Sequence, residues 1–291
     1  MKQSLQNPMT TLISKELMRY TKMHGAGNGF VLIDNTDNAL SSGACRELAV
    51  RLCKKEKTDG FIAVCPAEDA DIGMLFINSD GSVGEMCGNG ARCLAKYAAE
   101  HGLVHDTEHI SIKADAGTVT ARRISDDLYE VRLNDPALID PNRHAHTGNK
   151  DFDCFYTELG DPGIPHAVVF TDIDPHAHKN ELRETARAIR HAQVFPKGAN
   201  VSFVLRTGPD SAKAITFERG VEDFTLACGT GCGAIACAIA TAYHGASRHV
   251  YIEMSGGLLE VSLSCEGDLI TDILLTGPAV NVGEGETSYI S

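Results

Sequence analysis

The most informative feature of this 291-residue chain is a short cysteine-glycine motif that occurs once in each half. The first copy is Met86–Gly90 (MCGNG) and the second is Ala227–Gly231 (ACGTG), so Cys87 and Cys228 lie 141 positions apart. Nearly the same spacing separates two further pairs, Gly117 from Gly257 and Pro136 from Pro278. The sequence therefore predicts one α/β unit used twice, each copy placing a cysteine at a helix N-terminus.

The segments that follow the motifs repeat one pattern of predicted elements. Ser111–Pro136 and Tyr251–Pro278 both predict a strand, a glycine turn, a strand, a short turn and a third strand. Helices are predicted at Ala44–Cys53, Ala91–Glu100, Asn180–His191 and from Gly233 to about Tyr243, the last closing near Gly245. Further strands are predicted at Arg19–Lys22, Phe30–Asp34, Phe61–Val64, Met74–Asn78, Ala167–Phe170, Asn200–Leu205 and Ala214–Glu218.

The length of the chain is sufficient for two domains, each with its own core. Residues 1–18 precede the first strand and are predicted to form an N-terminal extension. The first domain is predicted at 19–135, with 279–291 returning to it, and the second at 136–278. Pro136–Asp151 is rich in Asp, Asn, Pro and His, which favours a hinge between the halves.

Composition excludes several classes of function. The net charge of −13 and the lack of a basic run argue against nucleic acid as a partner, because phosphate binding needs a positive surface. No apolar stretch reaches membrane-spanning length, and residues 1–18 lack the apolar core of a signal peptide. We therefore expect a cytoplasmic enzyme without a membrane partner, in which the ten cysteines are reduced.

Cysteine at the start of a helix suits acid–base chemistry. A helix N-terminus favours negative charge, so it is expected to lower the pKa of a thiol placed there. The glycines after Cys87 and Cys228 let backbone N–H groups approach a carboxylate and stabilise an oxyanion formed beside it. If one thiolate removes a proton from a carbon and the opposing thiol returns another, the configuration inverts without a cofactor.

Other interpretations of the cysteines and glycines are weaker. The spacing of Cys228, Cys232 and Cys237 is not that of a metal site and no histidine accompanies them, so no metal is predicted. The glycine-rich segment His24–Gly29 lacks the spacing of a nucleotide-binding loop, and no local feature marks a pyridoxal-type lysine. Eight cysteines lie in ordinary apolar contexts and are predicted to be structural: Cys45, Cys53, Cys65, Cys93, Cys154, Cys232, Cys237 and Cys265.

With these residues in view, the chain resembles the diaminopimelate epimerase family from about Tyr20 to Val280. The motifs that carry the resemblance are Lys22–Asn28, Asn78–Ser82, Met86–Arg92, Pro165-His166, Asn200–Phe203, Glu218–Gly220 and Thr225–Gly231. The resemblance implies an α/β (α+β) fold of two pseudo-symmetric domains. Each domain would be a mixed sheet or barrel wrapped around a central helix, with the active site in the cleft between them.

The resemblance also implies roles for individual positions. Cys87 and Cys228 are the expected acid–base pair, and His166 and Glu218 the residues that assist near the reacting centre. Backbone and side-chain groups of Gly88, Asn89, Gly229 and Thr230 would cradle the carboxylate of that centre. The expected substrate-binding residues are Asn28, Asn78, Asn200 and Arg219, where an arginine can hold a carboxylate bidentately. Asn28 and Asn78 as turn residues, His166 as a core histidine and Arg219 as a surface ion-pair residue remain alternatives.

Three departures from the family pattern concern the substrate. Ile164 and Gly29 stand where the family commonly has asparagine and aspartate. Phe224 stands where an acidic residue is usual, in a segment one residue longer than the common form. A lost polar contact and a phenyl ring near the cleft would suit a less polar or differently shaped side chain.

We therefore predict a cofactor-independent isomerase, an epimerase acting on a free amino acid. The expected reaction converts LL- to meso-diaminopimelate in lysine and peptidoglycan precursor biosynthesis. The alternatives are a racemase of another amino acid and a non-catalytic amino-acid-binding or redox-sensing homologue. A homodimer is left open as the assembled form.

Overall fold

The computed structural model describes residues 15–84, 86–148, 150–243 and 248–290, which contain four helices and sixteen strands. The helices are α1 (Ser42–Glu56), α2 (Gly88–Glu100), α3 (Lys179–Arg190) and α4 (Gly229–Ala242). The first seven strands are β1 (Lys15–Gly25), β2 (Asn28–Asp34), β3 (Gly60–Cys65), β4 (Ile72–Asn78), β5 (Ile110–Ala114), β6 (Gly117–Arg123) and β7 (Leu128–Arg132). The others are β8 (Pro136–His146), β9 (Asp151–Leu159), β10 (Ile164–Phe170), β11 (Asn200–Arg206), β12 (Ser211–Phe217), β13 (His249–Met254), β14 (Gly257–Glu266), β15 (Leu269–Pro278) and β16 (Val280–Ile290).

All sixteen strands belong to one continuous mixed sheet, whereas the family resemblance implies a separate sheet or barrel in each half. The strand order is β16-β1-β2-β3-β4-β5-β6-β7-β15-β14-β13-β12-β11-β10-β9-β8. The two halves join where β7 pairs antiparallel with β15. Each half has two parallel pairs at matching places, β2 with β3 and β4 with β5 in the first, β10 with β11 and β12 with β13 in the second. The repeated pairing confirms the duplication that the sequence predicts.

The helices cover the two faces of the sheet in pairs. Because side chains alternate along a strand, Phe30 and Leu32 of β2 join the cluster that contains α2 and α4. Val31 and Ile33 join the cluster around α1 on the other face. The helix α3 occupies the matching outer position in the second half. The two helices that begin at the cysteine motifs therefore share one interior core. No helix in the described part of the chain is long and apolar enough to cross a membrane.

The glycine-rich segment after β1 is a tight hairpin turn. Gly25 pairs with Asn28, and the two residues between them, Ala26 and Gly27, have φ of 50° and 86°. Two consecutive positive φ values define the type I′ turn that fits the twist of paired strands. This turn brings the predicted binding residue Asn28 to the first position of β2.

Several predicted boundaries differ from the structure. Pro136–Asp151, predicted to be a hinge, is mostly strand β8, and its last residue begins β9. The strand β1 begins at Lys15 and pairs with β16, so residues 15–18 are part of the sheet and not of a loose extension. Residues 1–14 and the predicted end of α4 near Gly245 lie outside the described residues. The four predicted helices and the inner strands are confirmed to within a few residues.

Candidate active site

Cys87 and Cys228 are the N-cap residues of α2 and α4, and the two helix N-termini meet. Both cysteines have extended backbone, with φ of −137° and −116°. A Cβ added to Gly229 would lie 3.8 Å from the Cα of Gly88, and Leu275 of β15 lies beneath both glycines. The first N–H groups of a helix have no partner within it, so this junction gathers donors from two helices. Such a junction can hold an anion between the two thiols.

The two thiols differ in their polar contacts. The Cys228 sulfur accepts the N–H of Gly231 at 3.3 Å and lies 3.7 Å from the hydroxyl oxygen of Thr230. Among the described residues the Cys87 side chain has no capping hydrogen bond of the same geometry, although the N–H groups of Gly90 and Asn89 act on its sulfur, and it is more exposed than Cys228. The second turn therefore holds its thiol in a more fixed position than the first.

Burial shifts the pKa of both thiols in the direction opposite to the one expected from the helix N-termini. Loss of solvent raises the pKa of Cys87 to about 11, and the N–H groups of Gly90 and Asn89 only partly oppose this. The pKa of Cys228 is also raised well above its ordinary value by burial and by the charge of Glu218. Desolvation of the thiolate therefore outweighs the favourable groups at the helix N-terminus.

Glu218 follows directly after β12 and interacts with both thiols. Its Oε1 accepts the hydroxyl of Thr225 at 2.5 Å. Burial raises the pKa of Glu218, while hydrogen bonds from Thr225 and Cys228 oppose the shift. Its charge also acts on Cys87. One carboxylate therefore acts electrostatically on both thiols.

His166 lies in β10 with its ring fully buried. Neither ring nitrogen has a hydrogen-bond partner in the described residues. Burial, together with the positive charge of Arg219, lowers the pKa of His166 to about 3. The imidazole is therefore neutral at physiological pH, with a donor and an acceptor both available to a ligand.

In the second half, the alternation of side chains along the strands places His166, Asn200 and Glu218 on the α4 side of the sheet. His166 alternates in phase with Val168, a member of the cluster around α4. Asn200 is the register partner of His166 in the parallel strand β11. Glu218 continues the face of β12 that carries Ala214, another member of that cluster.

Asn200 connects two strands to the turn that carries Arg219. Its Nδ2 donates to the carbonyl oxygen of Pro165 at 3.3 Å, and its Oδ1 accepts the N–H of Arg219 at 2.8 Å. The Arg219 side chain is exposed, and Nη1 donates to the carbonyl oxygen of Lys197 at 3.3 Å. The guanidinium is thus exposed, yet its charge acts on the buried ring of His166.

In the first half, the side chains of Asn28 and Asn89 contact each other, whereas the side-chain hydrogen bond of Asn78 stays within its own turn. Asn89 Nδ2 donates to Asn28 Oδ1 at 2.6 Å and to the carbonyl oxygen of Ala227 at 3.2 Å. Asn78 Nδ2 donates to the Ser82 hydroxyl at 2.9 Å. The hydrogen bonds of the described residues therefore link Asn28 and Asn89 to the cysteine turns, and they do not link Asn78.

Two residues at this site were not singled out from the sequence. Arg92 is fully buried, donates to Asn89 Oδ1 at 2.7 Å and acts electrostatically on Cys87. Asp59 accepts the N–H of Gly29 at 2.8 Å. The signal that could have identified Arg92 is its position in the alanine-rich helix that follows Cys87, where a cation is unusual.

The expected position of Phe224 in the cleft is wrong. Its ring is 7% exposed and packs against Phe217 and Phe203 in the cluster around α3, on the other face of the sheet. Side chains alternate along β12, so Phe217 lies on the face opposite to the inward Glu218. An isolated bridge joins Phe217 to Phe224, which places the Phe224 ring on the same outer face. Ile164, by contrast, lies two residues before His166 in β10 and shares its face.

Comparison of the sequence with known proteins gives one consistent family. The model of the family described as diaminopimelate epimerase matches residues 20–137 and 160–282. The diaminopimelate epimerase of Methanocella arvoryzae is 35% identical over 283 residues, covering 92% of this chain and 96% of that protein. The diaminopimelate epimerase of Bacillus velezensis is 34% identical over 287 residues, covering 92% of this chain and 97% of that protein.

Comparison of the fold gives more distant neighbours. A hydroxyproline epimerase from Agrobacterium vitis superposes with a TM-score of 0.68 at 15% identity, covering 94% of this chain and 93% of that one. A Bacillus anthracis phenazine biosynthesis protein of the PhzF family has the same TM-score and identity, covering 94% and 99%. These likenesses concern the fold, whereas the sequence matches over nearly the whole length identify the family. The chain belongs to the diaminopimelate epimerase family of isomerases.

Proposed function

We propose that this protein inverts the configuration at the Cα of diaminopimelate, with Cys87 and Cys228 as the acid–base pair. The observation that carries the proposal is the meeting of two cysteine-capped helices, whose Gly88 and Gly229 backbones approach each other. A carbon held between two such thiols can lose a proton on one face and gain one on the other. The chemistry needs no cofactor.

The reaction begins when the carboxylate of the reacting centre binds at the start of α2 and α4. The N–H groups that follow Cys87 and Cys228 hold this carboxylate and stabilise the charge that develops when Cα loses its proton. One sulfur, as thiolate, takes the proton from Cα. The opposing thiol then gives its proton to the other face, so the first sulfur ends protonated and the second ends as thiolate.

Because the pKa values of both thiols are raised, the proposed mechanism also depends on the charge of the substrate. In the ligand-free cleft, burial keeps both Cys87 and Cys228 protonated near neutral pH. A bound α-ammonium group would bring a positive charge beside the sulfurs and favour the thiolate. Glu218 and His166 are the residues that we assign to this group, one as a carboxylate partner and the other as a neutral hydrogen-bonding ring.

The choice of diaminopimelate rests on the family and on the polar groups around the pocket. We assign the distal amino-acid group to Asn28, Asn78, Asn200 and Arg219. An exposed guanidinium such as that of Arg219 can bind a carboxylate with two parallel hydrogen bonds. The relatives that support this choice carry the name diaminopimelate epimerase. This reaction would serve lysine and peptidoglycan precursor biosynthesis.

A second candidate, racemisation of a less polar amino acid, is favoured by Ile164. Phe30 of β2 pairs with Gly60 of β3 at the same place in its half as His166 of β10 pairs with Asn200 of β11. Asn28 and Ile164 each lie two residues before these positions, so they are equivalent in the repeat. The first half thus presents a carboxamide where the second presents an aliphatic side chain. A site without a hydrogen-bonding group for a polar substrate atom rejects an apolar substrate only weakly.

The test is inversion in deuterated water without added cofactor. Purified protein should place solvent deuterium at the Cα of the product, and Cys87→Ala and Cys228→Ala should each abolish inversion. Cys237→Ala, which removes another buried thiol from α4, is the matched control and should keep its activity within about threefold. Full activity in either of the first two variants would contradict the two-thiol assignment.

The substrate is tested in the same assay with LL- and meso-diaminopimelate and a panel of free amino acids. Rapid inversion of diaminopimelate alone supports the first candidate. Rapid inversion of another amino acid with slow turnover of diaminopimelate supports the second. Binding without deuterium incorporation for every compound would instead indicate a non-catalytic amino-acid-binding protein.

A further inference from the structure

Arg92 is a cation buried in the core without an ionic partner. Its side chain is 0% exposed, and one hydrogen bond, from Nη2 to Asn89 Oδ1 at 2.7 Å, holds it. Nε and Nη1 have no hydrogen-bond partner among the residues that the structure describes, and the side chains that act electrostatically on Arg92 there include no carboxylate. Because arginine stays protonated, burying it unpaired opposes folding. Packing alone would be served better by an apolar side chain.

The one hydrogen bond of Arg92 determines how the amide of Asn89 is turned. A guanidinium can only donate, so the atom of Asn89 that faces it must be the oxygen. The Asn89 nitrogen must then face the other way, where it donates to Asn28 Oδ1 at 2.6 Å and to the carbonyl of Ala227 at 3.2 Å. A reversed amide would set a donor against Arg92 and an acceptor against the Ala227 oxygen.

This amide connects the two halves of the molecule at the cysteine turns. Ala227 immediately precedes Cys228, and Asn89 lies two residues after Cys87. Arg92 itself lies against the second half, because a Cβ on Gly277 of β15 would stand 3.1 Å from its Cζ. Any movement of the guanidinium would therefore be transmitted to both cysteine turns and to Asn28.

We propose that Arg92 is a positioning residue for the two-thiol reaction. It orients the Asn89 amide that fixes the cysteine turns against each other, and its unneutralised charge favours an anion at Cys87. The proposal rests on the proposed function for the reaction itself. The electrostatic part rests on position, since Arg92 lies just over one turn into the helix that Cys87 caps and hydrogen-bonds to Asn89, two residues after that cysteine, and its charge acts to lower the pKa of Cys87.

The same helix supplies a matched control. Lys96 lies one turn after Arg92 and is 4% exposed, but its ammonium group is fully paired. It contacts Asp127 Oδ1 at 2.6 Å, the carbonyl oxygen of Asp126 at 2.7 Å and Glu100 Oε1 at 3.1 Å. Removing Lys96 deletes a buried cation of α2 that has no contact with Asn89.

The experiment compares Arg92→Met, Arg92→Lys and Lys96→Met in the full-length protein. The first readout is the rate at which methyl methanethiosulfonate, a small thiolate-specific reagent, modifies Cys87 at pH 8.5, followed by mass spectrometry without substrate. We expect this rate to fall at least about fivefold in Arg92→Met, because the thiolate population falls with the lost charge. In Arg92→Lys and Lys96→Met it should stay within about twofold of the unmodified protein.

The second readout is kcat and KM for the substrate that the inversion assay identifies. We expect kcat to fall by about a hundredfold in Arg92→Met and by about tenfold in Arg92→Lys, with KM changing less than kcat in both. Lys96→Met should lower the melting temperature while leaving kcat within about twofold.

The outcomes separate this inference from the proposed function. An unchanged rate of Cys87 modification in a folded Arg92→Met protein would overturn the electrostatic role, whatever the substrate. Equal losses of kcat in Arg92→Met and Lys96→Met would overturn the positioning role and leave only a structural one. Should Arg92→Met not fold, a wild-type kcat in Arg92→Lys would overturn it as well. Absence of inversion in the wild type would contradict the proposed function, while the modification rates would still decide the role of Arg92.

Discussion

The Oδ1 atom of Asn200 accepts the backbone N–H of Arg219 at 2.8 Å. The carboxamide also donates to the carbonyl oxygen of Pro165, the residue before His166. One buried side chain therefore joins the start of β11, the backbone beside His166 in β10 and the turn of Arg219 in a single arrangement. The guanidinium is exposed, so its position depends on this backbone and not on packing.

This arrangement predicts that Arg219→Lys lowers kcat/KM for diaminopimelate by at least about tenfold, since lysine cannot make two parallel hydrogen bonds to a carboxylate. The free energy of unfolding, measured by urea titration, should change by less than about 0.5 kcal/mol because the side chain is exposed. Arg187→Lys, at an exposed arginine of α3, is the control and should leave both quantities unchanged. Retained kcat/KM in Arg219→Lys would remove Arg219 from the substrate site.

His166 predicts a loss of stability in mild acid. Its pKa of about 3 in the folded protein lies below its ordinary value of 6.5, so below that value the unfolded chain takes up a proton that the native ring does not. The native state should lose up to about 1.4 kcal/mol per pH unit from this group as the pH falls from 6.5 towards 3. His166→Asn should reduce the slope of unfolding free energy against pH, whereas His109→Asn, at an exposed histidine, should not. Identical slopes in wild type and His166→Asn would show that the ring is hydrated in solution.

The raised pKa of Cys87, about 11, predicts slow thiol chemistry in the ligand-free protein. The rate of modification by iodoacetamide should rise about tenfold per pH unit from pH 7 to pH 10 without reaching a plateau, because only the thiolate reacts. Denatured protein, in which burial is lost, provides the comparison and should react faster at pH 8. A plateau below pH 8 in the native protein would mean that the helix N-terminus outweighs burial.

The hydrogen bond from Thr225 to Glu218 predicts a change in the pH profile of activity. This bond opposes the burial that raises the pKa of Glu218, so Thr225→Val should raise that pKa further. We expect the acidic limb of kcat/KM against pH to move to higher pH, by up to about one unit. Thr276→Val is the control, because Thr276 makes a similar hydrogen bond to Glu130 on the face of β15 opposite to Leu275, the residue beneath the cysteine turns. Coincident acidic limbs would exclude Glu218 from the ionisation that limits activity.

Ile164 predicts the direction of a specificity change. If diaminopimelate is the substrate, Ile164→Asn adds a polar group on the His166 face and should leave kcat/KM for it unchanged or higher. If the substrate is a less polar amino acid, the same change should lower its kcat/KM by roughly tenfold. Ile164→Val serves as the control. A substitution on the opposite face of β10, at Val169, is unsuitable because Val169 is buried in the cluster around α3. A loss of diaminopimelate turnover in Ile164→Asn would contradict the first substrate assignment.

Much of the fold and part of the candidate site follow from local features of the sequence. The two cysteines at helix starts, the glycine turns at Gly117 and Gly257 and the strand patterns around them depend on residues close together in the chain. The structure has these elements where the sequence predicts them. Turn chemistry and hydrophobic periodicity act over a few residues, so they can be interpreted without knowledge of the rest of the fold.

Other features were decided only by the tertiary structure. The union of the halves into one sheet comes from the pairing of β7 with β15, which are more than 130 positions apart in the chain. The outward position of Phe224 depends on its packing against α3, and the raised thiol pKa values depend on burial by both halves. The contact of Arg92 with an amide that reaches Ala227 likewise requires the two repeats to meet. Burial and long-range hydrogen bonding are properties of the folded arrangement, because each depends on groups that sequence separation alone does not bring together.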